Sequence, residues 1–402
     1  MGRSESETRA WLALLRAPAL GGGRIRPAVA EHGGAEAARQ ALLRRPSGLA
    51  DATREALRAP DLAALQGDLD WLAMPGHQLI TCLDADYPAL LARVPNAPAA
   101  LFVAGDPSML WRPQLAIVGS RNPTAAGRDN AAAFARALST AGLTITSGLA
   151  DGVDAAAHAA ALASAAGTVA VVGTGPDRVY PAKHKALARA IATRGALVSE
   201  FPPGTGARRE HFPRRNRVIA GLSLGTLVVE ASVQSGALIT ARLAAEAGRE
   251  VFALPGSIHN PLARGCHRLI RDGAALVETT DEVLGALAPV AAELADALRA
   301  RLQLPAAAAP AAEPAPPRDP DHARLWEALG HDPAGIDQLA ARTGLTVDAL
   351  SSMLLLMELE GRVTAAHGRY ARAVEATASG PGSPPQIPPG AGRRRPARRE
   401  AG

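Results

Sequence analysis

Residues 115–121 read Leu-Ala-Ile-Val-Gly-Ser-Arg, an apolar run that ends in a polar turn. The apolar residues do not alternate with polar ones, which is typical of a strand buried on both faces of a parallel sheet. In the turn, Gly119 can adopt a positive φ, Ser120 and Arg121 offer donors, and a helix predicted after Pro123 adds the positive end of its dipole. The turn therefore predicts an anion site, although every doubly wound sheet has a turn of this kind.

The same apolar pattern recurs along the centre of the chain, at residues 143–146, 169–172, 197–199, 227–229, 251–254 and 276–277. The stretches between these runs are helical in pattern, too long for hairpins and suitable for crossovers. The predicted fold class is therefore α/β, with a Rossmann-like, doubly wound and mostly parallel sheet. Residues 77–113 contain short apolar runs between turns and predict one or two further strands that lead into this sheet.

Composition and charge limit the function classes. The chain has 402 residues, of which 48% are hydrophobic, and a formal net charge of +5, which favours a polyanionic partner. Aromatic residues are only 3%, so base stacking is not expected to be the main binding mode. Cys82 and Cys266 have no metal-ligand or redox spacing, and neither a secretory signal nor a membrane-spanning run is present. We therefore expect a cytoplasmic protein without a metal site and without membrane contact.

The segments on either side of the sheet predict further domains. Residues 1–75 read as a small helical domain, in which the glycines of residues 20–25 resemble either a helix-hairpin-helix turn or a plain connection. Residues 76–289 contain the sheet and its N-terminal extension. Residues 290–320 are rich in alanine and proline and predict a linker, with a helical extension over residues 291–304 left open.

The C-terminal part predicts one more small domain and a tail. Residues 321–374 read as three helices and a hairpin, which is a winged-helix plan. The third helix, residues 347–359, has no arginine or lysine and therefore favours a protein contact or a structural role over duplex reading. Residues 375–402 predict a disordered basic tail with weak, salt-sensitive affinity for nucleic acid.

Arginines are concentrated in residues 208–217, which hold five of them before an apolar helix predicted at residues 218–222. Arginine is disfavoured at the start of a solvated helix, so the cluster favours an anionic partner over a solvated basic face. Lys183, His184 and Lys185 would extend the positive charge. Neither a dinucleotide fingerprint nor a Walker A motif follows the first strand, so no cofactor is expected.

Several blocks of sequence carry a resemblance to a known family. These blocks are Gly119-Ser120-Arg121, residues 147–158, the Phe-Pro-x-Arg-Asn-Arg block that begins at Phe212, residues 235–241 and residues 254–257. They resemble blocks of the DNA-processing protein A family, also called DprA or Smf, and occur in the same order as in that family. The resemblance implies a protein that binds single-stranded DNA without catalysis, protects incoming DNA and loads the recombinase RecA onto it in natural transformation and recombination. It also implies a homodimer and contact with the single-strand-binding protein.

The resemblance also implies a phosphate pocket. Its residues carry over onto Gly119, Ser120, Arg121, Ser147, Gly148, Lys183, Arg214, Asn216 and Arg217. His184 and His267 stand where the family has asparagine, which leaves open whether Lys183 or Lys185 contacts phosphate. Residues 186–188 offer no aromatic for stacking, so we expect binding to depend mainly on charge.

The residues leave three other interpretations. Residues 225–230 resemble the glycine-threonine-glutamate loop of the lysine-decarboxylase-like (LOG) phosphoribohydrolases, which cleave nucleoside monophosphates, but the preceding glycines of that loop are missing. Asp154, His158, His211 and Glu230 can be drawn as an acid–base set, yet we expect Asp154 to cap its helix and His158 to bond a neighbouring loop. A sequence-specific duplex-binding regulator is the third interpretation.

Overall fold

The computed structural model describes residues 3–44, 48–301, 320–329, 334–359, 363–366 and 369–372. The chain divides into two compact units, Met1–Ala306 and Ala307–Gly402, so the predicted helical and sheet domains belong to one unit. Most of the predicted linker and the whole basic tail lie outside the described residues.

The first unit contains helices on both sides of a large sheet. Its helices are α1 (Glu5–Arg16), α2 (Gly22–His32), α3 (Ala35–Arg44), α4 (Asp51–Arg58), α5 (Leu62–Leu72), α6 (Ala89–Ala92), α7 (Ala125–Thr140), α8 (Val153–Ala161), α9 (Lys185–Arg194), α10 (His211–Leu222), α11 (Gly236–Glu246), α12 (Arg264–Arg271) and α13 (Thr280–Arg301). Its strands are β1 (His77–Thr81), β2 (Ala100–Gly105), β3 (Gln114–Val118), β4 (Thr144–Ser147), β5 (Thr168–Val172), β6 (Ala196–Ser199), β7 (Gly225–Val228), β8 (Glu250–Ala253) and β9 (Ala275–Leu276).

The strands form one nine-stranded sheet in the order β1-β2-β6-β5-β4-β3-β7-β8-β9. Strands β3 to β9 pair in parallel, whereas β1 and β2 are antiparallel additions at one edge. The strand order reverses direction at β3, with β4 on one side and β7 on the other. The predicted Rossmann-like, mostly parallel sheet is therefore confirmed, and its switch point lies at the strand with which the prediction began.

Both faces of β3 are buried, as its unbroken apolar pattern indicates. Leu115 and Ile117 pack in a cluster with residues of α7, α8 and α13. Ala116 and Val118 pack in a second cluster with residues of α10, α11 and α12. Because successive side chains of a strand point to opposite faces, this short strand joins the two helical layers and fixes the turn that follows it.

The N-terminal helices pack on the part of the sheet that contains β2 and β6. Trp11 and Ile25 share a buried cluster with Phe102 of β2, and the Trp71 ring of α5 lies edge-on to Phe102 at 6.0 Å. At the glycine turn of residues 20–25, a Cβ on Gly22 would lie 2.5 Å from the Ala97 carbonyl oxygen. Gly22 therefore serves close packing against the rest of the unit, which favours the plain connection.

Two helix boundaries differ from the prediction. The helix predicted at residues 218–222 begins at His211, because Pro213 lies in its first turn, where a missing N–H is tolerated. Helix α13 continues without a break through Pro289 to Arg301, which agrees with the helical extension left open for residues 291–304 but not with a boundary at Pro289. Leu287 and Leu294 are buried there, and their burial outweighs the hydrogen bond that Pro289 removes.

The second unit confirms the predicted winged-helix plan. It contains α14 (Pro320–Ala328), β10 (Ala334–Gly335), α15 (Ile336–Thr343), α16 (Val347–Leu359), β11 (Val363–Ala366) and β12 (Arg369–Arg372). The three strands pair antiparallel in the order β10-β12-β11. Throughout the described ranges, no single helix is long and apolar enough to cross a membrane; only α15 and α16 taken together, bent by 109°, meet those criteria.

Candidate nucleic-acid interface

A cleft of about 740 Å³ opens at the carboxyl edge of the parallel strands, around the turn after β3. We call it the strand-end cleft. Its polar lining consists of Ser120, Arg121, Asn122, Asp154, Tyr180, Arg209, Arg215, Asn216, Ser232, Ser235 and Thr240. Arg121 and Arg209 are exposed, whereas Asp154 and Arg215 are buried. Solvent therefore meets positive charge in the cleft, because the one carboxylate among these lining residues is covered.

The turn after β3 is held tightly by its neighbours. A Cβ on Gly119 would lie 2.7 Å from Val153 Cγ2 and 2.9 Å from the Glu230 carbonyl oxygen. The Val153 N–H donates to the Ser120 carbonyl at 3.1 Å. Gly119 is not among the residues with positive φ, so the predicted reason for this glycine was wrong. Glycine is required because the loops after β3, β4 and β7 meet there without room for a side chain.

The N-terminus of α7 already holds an anion, the carboxylate of Glu230. Its oxygens accept from the Thr124 N–H at 2.9 Å and the Thr124 hydroxyl at 2.7 Å, and Asn260 Nδ2 donates to it at 3.2 Å. A Cβ on Gly127 would lie 2.4 Å from the Glu230 carboxyl carbon. The expectation that the dipole of this helix serves an external anion was therefore wrong, since an internal carboxylate occupies the position.

A different helix presents its first turn to the cleft. Ser235 caps α11 by accepting from the Ala237 N–H at 3.2 Å, and Ser235, Gly236 and Ala237 all line the cleft. No atom lies within 4 Å of a Cβ built on Gly236, so the backbone is open to the cavity. The positive end of α11 thus faces the space that the prediction assigned to α7.

Arg215 forms the floor of the cleft and is only 5% exposed. Its Nη1 donates to the carbonyl oxygen of Gly148 and, at 2.6 Å, to that of Val171. Burial lowers the pKa of the guanidinium to about 10, so it stays charged at neutral pH. Asp154 lies nearby; burial raises the pKa of its carboxyl, and the charge of Arg215 acts in the opposite direction.

Comparison with known proteins assigns the family. The model of the DNA recombination-mediator protein A family matches residues 78–288, and that of the DprA winged helix domain matches residues 309–369. The chain belongs to this family. It is 42% identical over 310 residues to protein Smf of Escherichia coli K12. The matched region covers 77% of this chain and 81% of that protein.

Relatives named DprA agree with this assignment. The chain is 45% identical over 202 residues to the DNA processing protein DprA of Streptococcus pneumoniae R6, covering 50% of this chain and 71% of that protein. The X-ray structure of DprA from Streptococcus pneumoniae aligns with a TM-score of 0.62 and 35% identity over 71% of this chain and 98% of that one. The resemblance inferred from the sequence blocks is thereby confirmed.

The predicted phosphate residues of the DprA family fall into two groups in this structure. Gly119, Ser120, Arg121 and Asn216 line the strand-end cleft. Ser147, Gly148, Lys183, Arg214 and Arg217 do not line it. Ser147 donates to the Ile117 carbonyl at 2.6 Å and is buried within the sheet, and Gly148 lies against Arg215.

The basic residues outside the cleft lining have acidic partners. Lys183 Nζ lies 2.8 Å from Asp151 Oδ1, and the hydrogen bond from Lys183 lowers the pKa of that carboxyl. His184 Nε2 lies 2.9 Å from the same oxygen. Arg217 pairs with the buried Glu200. Whether Lys183 or Lys185 contacts phosphate stays a prediction.

Arg214 is half exposed and contacts the same acidic centre as Arg217. Its Nη2 lies 3.7 Å from Glu200 Oε1, and its guanidinium lies 5.3 Å from the centroid of the Phe201 ring. Arg214 occupies the variable position of the Phe-Pro-x-Arg-Asn-Arg block, whereas Arg215 is the arginine that the block specifies. The site prediction left out Arg215, although its place in the block would have identified it.

The prediction also left out an aromatic pair in the cleft wall. Tyr180 and Phe212 both line the cavity, and their ring centroids are 5.6 Å apart. The guanidinium carbon of Arg121 lies 5.7 Å from the Phe212 centroid. Phe212 begins one of the sequence blocks that carry the family resemblance, but the low aromatic content of the chain favoured binding by charge over stacking.

Two expectations about the acid–base candidates require correction. Asp154 does not cap α8; Gly152 is the N-cap, and Asp154 accepts from the N–H groups of Gly148 at 3.0 Å and Ala150 at 3.3 Å. It therefore orders the preceding loop. His158 Nδ1 lies 2.7 Å from the Thr168 hydroxyl on strand β5, not from a loop. Burial lowers the pKa of His158 to about 3.

The two histidines that replace family asparagines both have hydrogen-bond partners. His184 contacts Asp151, as described above, and His267 Nε2 lies 3.0 Å from the Gly256 carbonyl oxygen. Within the ranges that the structure describes, no three histidine, cysteine, aspartate or glutamate side chains are grouped so as to hold a metal ion. The side chains that line the strand-end cleft offer arginine, hydroxyl, amide and aromatic groups.

Proposed function

We propose that this chain binds single-stranded DNA in the strand-end cleft, with Arg121 as its principal phosphate contact. In the cytoplasm it would protect incoming DNA and, as a homodimer, load a RecA recombinase onto the strand during natural transformation and recombination, with the single-strand-binding protein as a further partner. The observation that carries the proposal is the exposed Arg121 in a cleft that the first turn of α11 also faces. Membership of a recombination-mediator family supports it.

The arrangement suits a phosphodiester. Arg121 follows a strand that is buried on both faces, so the sheet fixes its backbone while its side chain stays exposed. A guanidinium donates in parallel to two phosphate oxygens, and hydroxyls such as those of Ser232 and Ser235 complete the anion's hydrogen bonds. These contacts address the backbone of the strand, so binding is expected to be indifferent to base order.

We further propose that binding occurs without catalysis. Both oxygens of Glu230 are engaged at the N-terminus of α7, and the neutral His158 is fully buried. The segment that resembles a phosphoribohydrolase loop, residues 225–230, begins with the buried strand β7, Gly225–Val228. A Cβ on Gly225 would lie 2.9 Å from the Phe252 ring, so this glycine serves packing, which argues against a phosphate loop there.

The test compares Arg121→Ala with the parent protein in a fluorescence anisotropy titration of a labelled single strand. We expect a loss of about 1.5–3 kcal/mol, the range for a charge-assisted hydrogen bond, which is roughly ten- to a hundredfold in affinity. Arg121→Lys should restore part of the loss, because lysine has the charge but not the planar fork. The melting temperature should stay near that of the parent, since Arg121 is exposed.

Arg136→Ala is the matched control. Arg136 is an exposed arginine near the C-terminal end of α7 and does not line the cleft, so its removal changes the net charge equally without removing a lining residue. A salt series with single-stranded and duplex DNA of equal length completes the experiment, since phosphate contacts give a steep salt dependence. Equal losses for Arg121→Ala and Arg136→Ala, or equal affinity for duplex, would contradict the proposal.

A further inference from the structure

Tyr180 is a large aromatic side chain that the fold leaves in the open. It is 51% exposed, although it lines the strand-end cleft beside an arginine-rich wall. Within the described part of the chain its hydroxyl forms no hydrogen bond. Aromatic rings are usually buried because they contribute much apolar area to a core. An exposed ring in a cationic cavity therefore suggests contact with a ligand.

The ring is also held in place from behind. Phe212 lies against Tyr180 at 5.6 Å with an interplanar angle of 46°. Phe212 in turn packs on Gly173 at the end of β5, where a Cβ would lie 3.1 Å from Phe212 Cδ1. Gly173 thus admits the ring to a position that a larger residue would block. Tyr180 rests on a support that the sheet itself fixes, so little conformational freedom is lost when a flat ligand covers its free face.

The same support connects Tyr180 with the phosphate site. The guanidinium of Arg121 lies 5.7 Å from the centroid of Phe212, so Phe212 has Arg121 and Tyr180 as neighbours. A nucleotide presents an anion and a flat aromatic base joined by a sugar. In the cleft, Arg121 offers a cation and Tyr180 a flat aromatic ring, and both side chains lie beside Phe212.

We propose that Tyr180 stacks on one unpaired base of the strand whose phosphate Arg121 binds, and that this contact gives the cleft its preference for single strands. This inference rests on the proposed function. It assigns the base of the nucleotide to Tyr180, beside the phosphate that Arg121 binds. In a duplex both faces of a base are covered by neighbouring base pairs, whereas an unpaired base offers a free face to an aromatic ring. Stacking of this kind tolerates every base, so it adds strand selectivity without sequence preference.

The experiment uses the full chain and two single strands of equal length, one of thymidines and one with abasic sugars in place of the central nucleotides. The two strands carry the same phosphates and differ only in bases. We expect the parent to bind the thymidine strand about tenfold more tightly, the equivalent of about 1.4 kcal/mol, within the range for base–aromatic stacking. Tyr180→Leu should remove this difference and leave abasic binding unchanged, while Tyr180→Phe should keep it.

The variants separate stacking from other roles of the ring. Leucine retains apolar bulk without a π face, and phenylalanine retains the π face without the hydroxyl. If Tyr180→Leu keeps the tenfold difference, or weakens both strands equally, the stacking assignment is overturned, because the ring then only shapes the cleft or acts elsewhere. Arg121→Ala tests the underlying site separately: it should weaken both strands equally. Unchanged binding of both strands by Arg121→Ala would refute the phosphate site, whatever Tyr180 does.

Discussion

Replacement of Arg215 by methionine is expected to lower the melting temperature by about 6 to 20 °C. Arg215 is 5% exposed and donates to two carbonyl oxygens on different segments, those of Gly148 and Val171. Methionine fills similar space but donates nothing, and it leaves the buried Asp154 without a nearby positive charge. Breaking a buried charged centre from one side costs about 3–5 kcal/mol. For a domain of this size each kcal/mol lowers the melting temperature by about 2–4 °C.

Arg214→Met is the matched control, because it makes the same chemical change one residue earlier in the same helix. Arg214 is half exposed, and its distance to Glu200 Oε1 is 3.7 Å, so its loss should cost no more than about 1 kcal/mol. Differential scanning calorimetry of the parent and both variants measures the difference directly. If Arg215→Met melts with the parent, or if Arg214→Met loses as much, the assignment of Arg215 as the structural arginine is refuted.

Two further predictions concern the loop that Arg215 holds and the basic tail. Gly148→Ala should destabilise the protein much as Arg215→Met does, because the new Cβ would lie 2.0 Å from Arg215 Nη1. In calorimetry, the loss of stability of the double variant should be clearly smaller than the sum of the losses of the two single variants. Deletion of residues 377–402 should reduce the slope of log affinity against log salt by up to about 0.7 for each phosphate that the tail neutralises. The preference for single strands should remain. If the shortened chain does not bind DNA at all, the binding site is not where we place it.

The strands of the sheet could be predicted from the sequence because the signal for each is local. The run that contains Leu115 and Ile117 has no polar residues between its apolar ones. Such a run favours a strand that is buried on both faces. The stretches between the runs were long enough for crossover helices, which dictated parallel pairing. The edge on which the site lies followed from topology alone. Arg121 could therefore be placed in the cleft before any side chain was known.

What could not be predicted depends on contacts between distant segments. Glu230 follows Thr124 by 106 positions, and nothing near either residue indicates that this carboxylate occupies the start of α7. The close approach at Gly119 likewise involves Val153 and Glu230. The sequence therefore suggested a positive φ as the reason for this glycine, whereas the reason is that no Cβ fits between those two residues. The sequence block marks Arg215 rather than Arg214 as its specified arginine, but that Arg215 is the buried one follows only from the packing of α10.

The Glu230 carboxylate at the N-terminus of α7 limits which groups of the strand-end cleft can contact a phosphate under the proposed function. Glu230 connects the N-cap of α7 to the segment after β7, and Arg215 connects the loop after β4 to strand β5. The groups left to meet a phosphate are the exposed side chain of Arg121, the hydroxyls of the Ser232 and Ser235 segment and the first turn of α11. On the proposed function, the exposed arginines would hold a flexible strand by charge, while the supported ring of Tyr180 would select strands whose bases are unpaired.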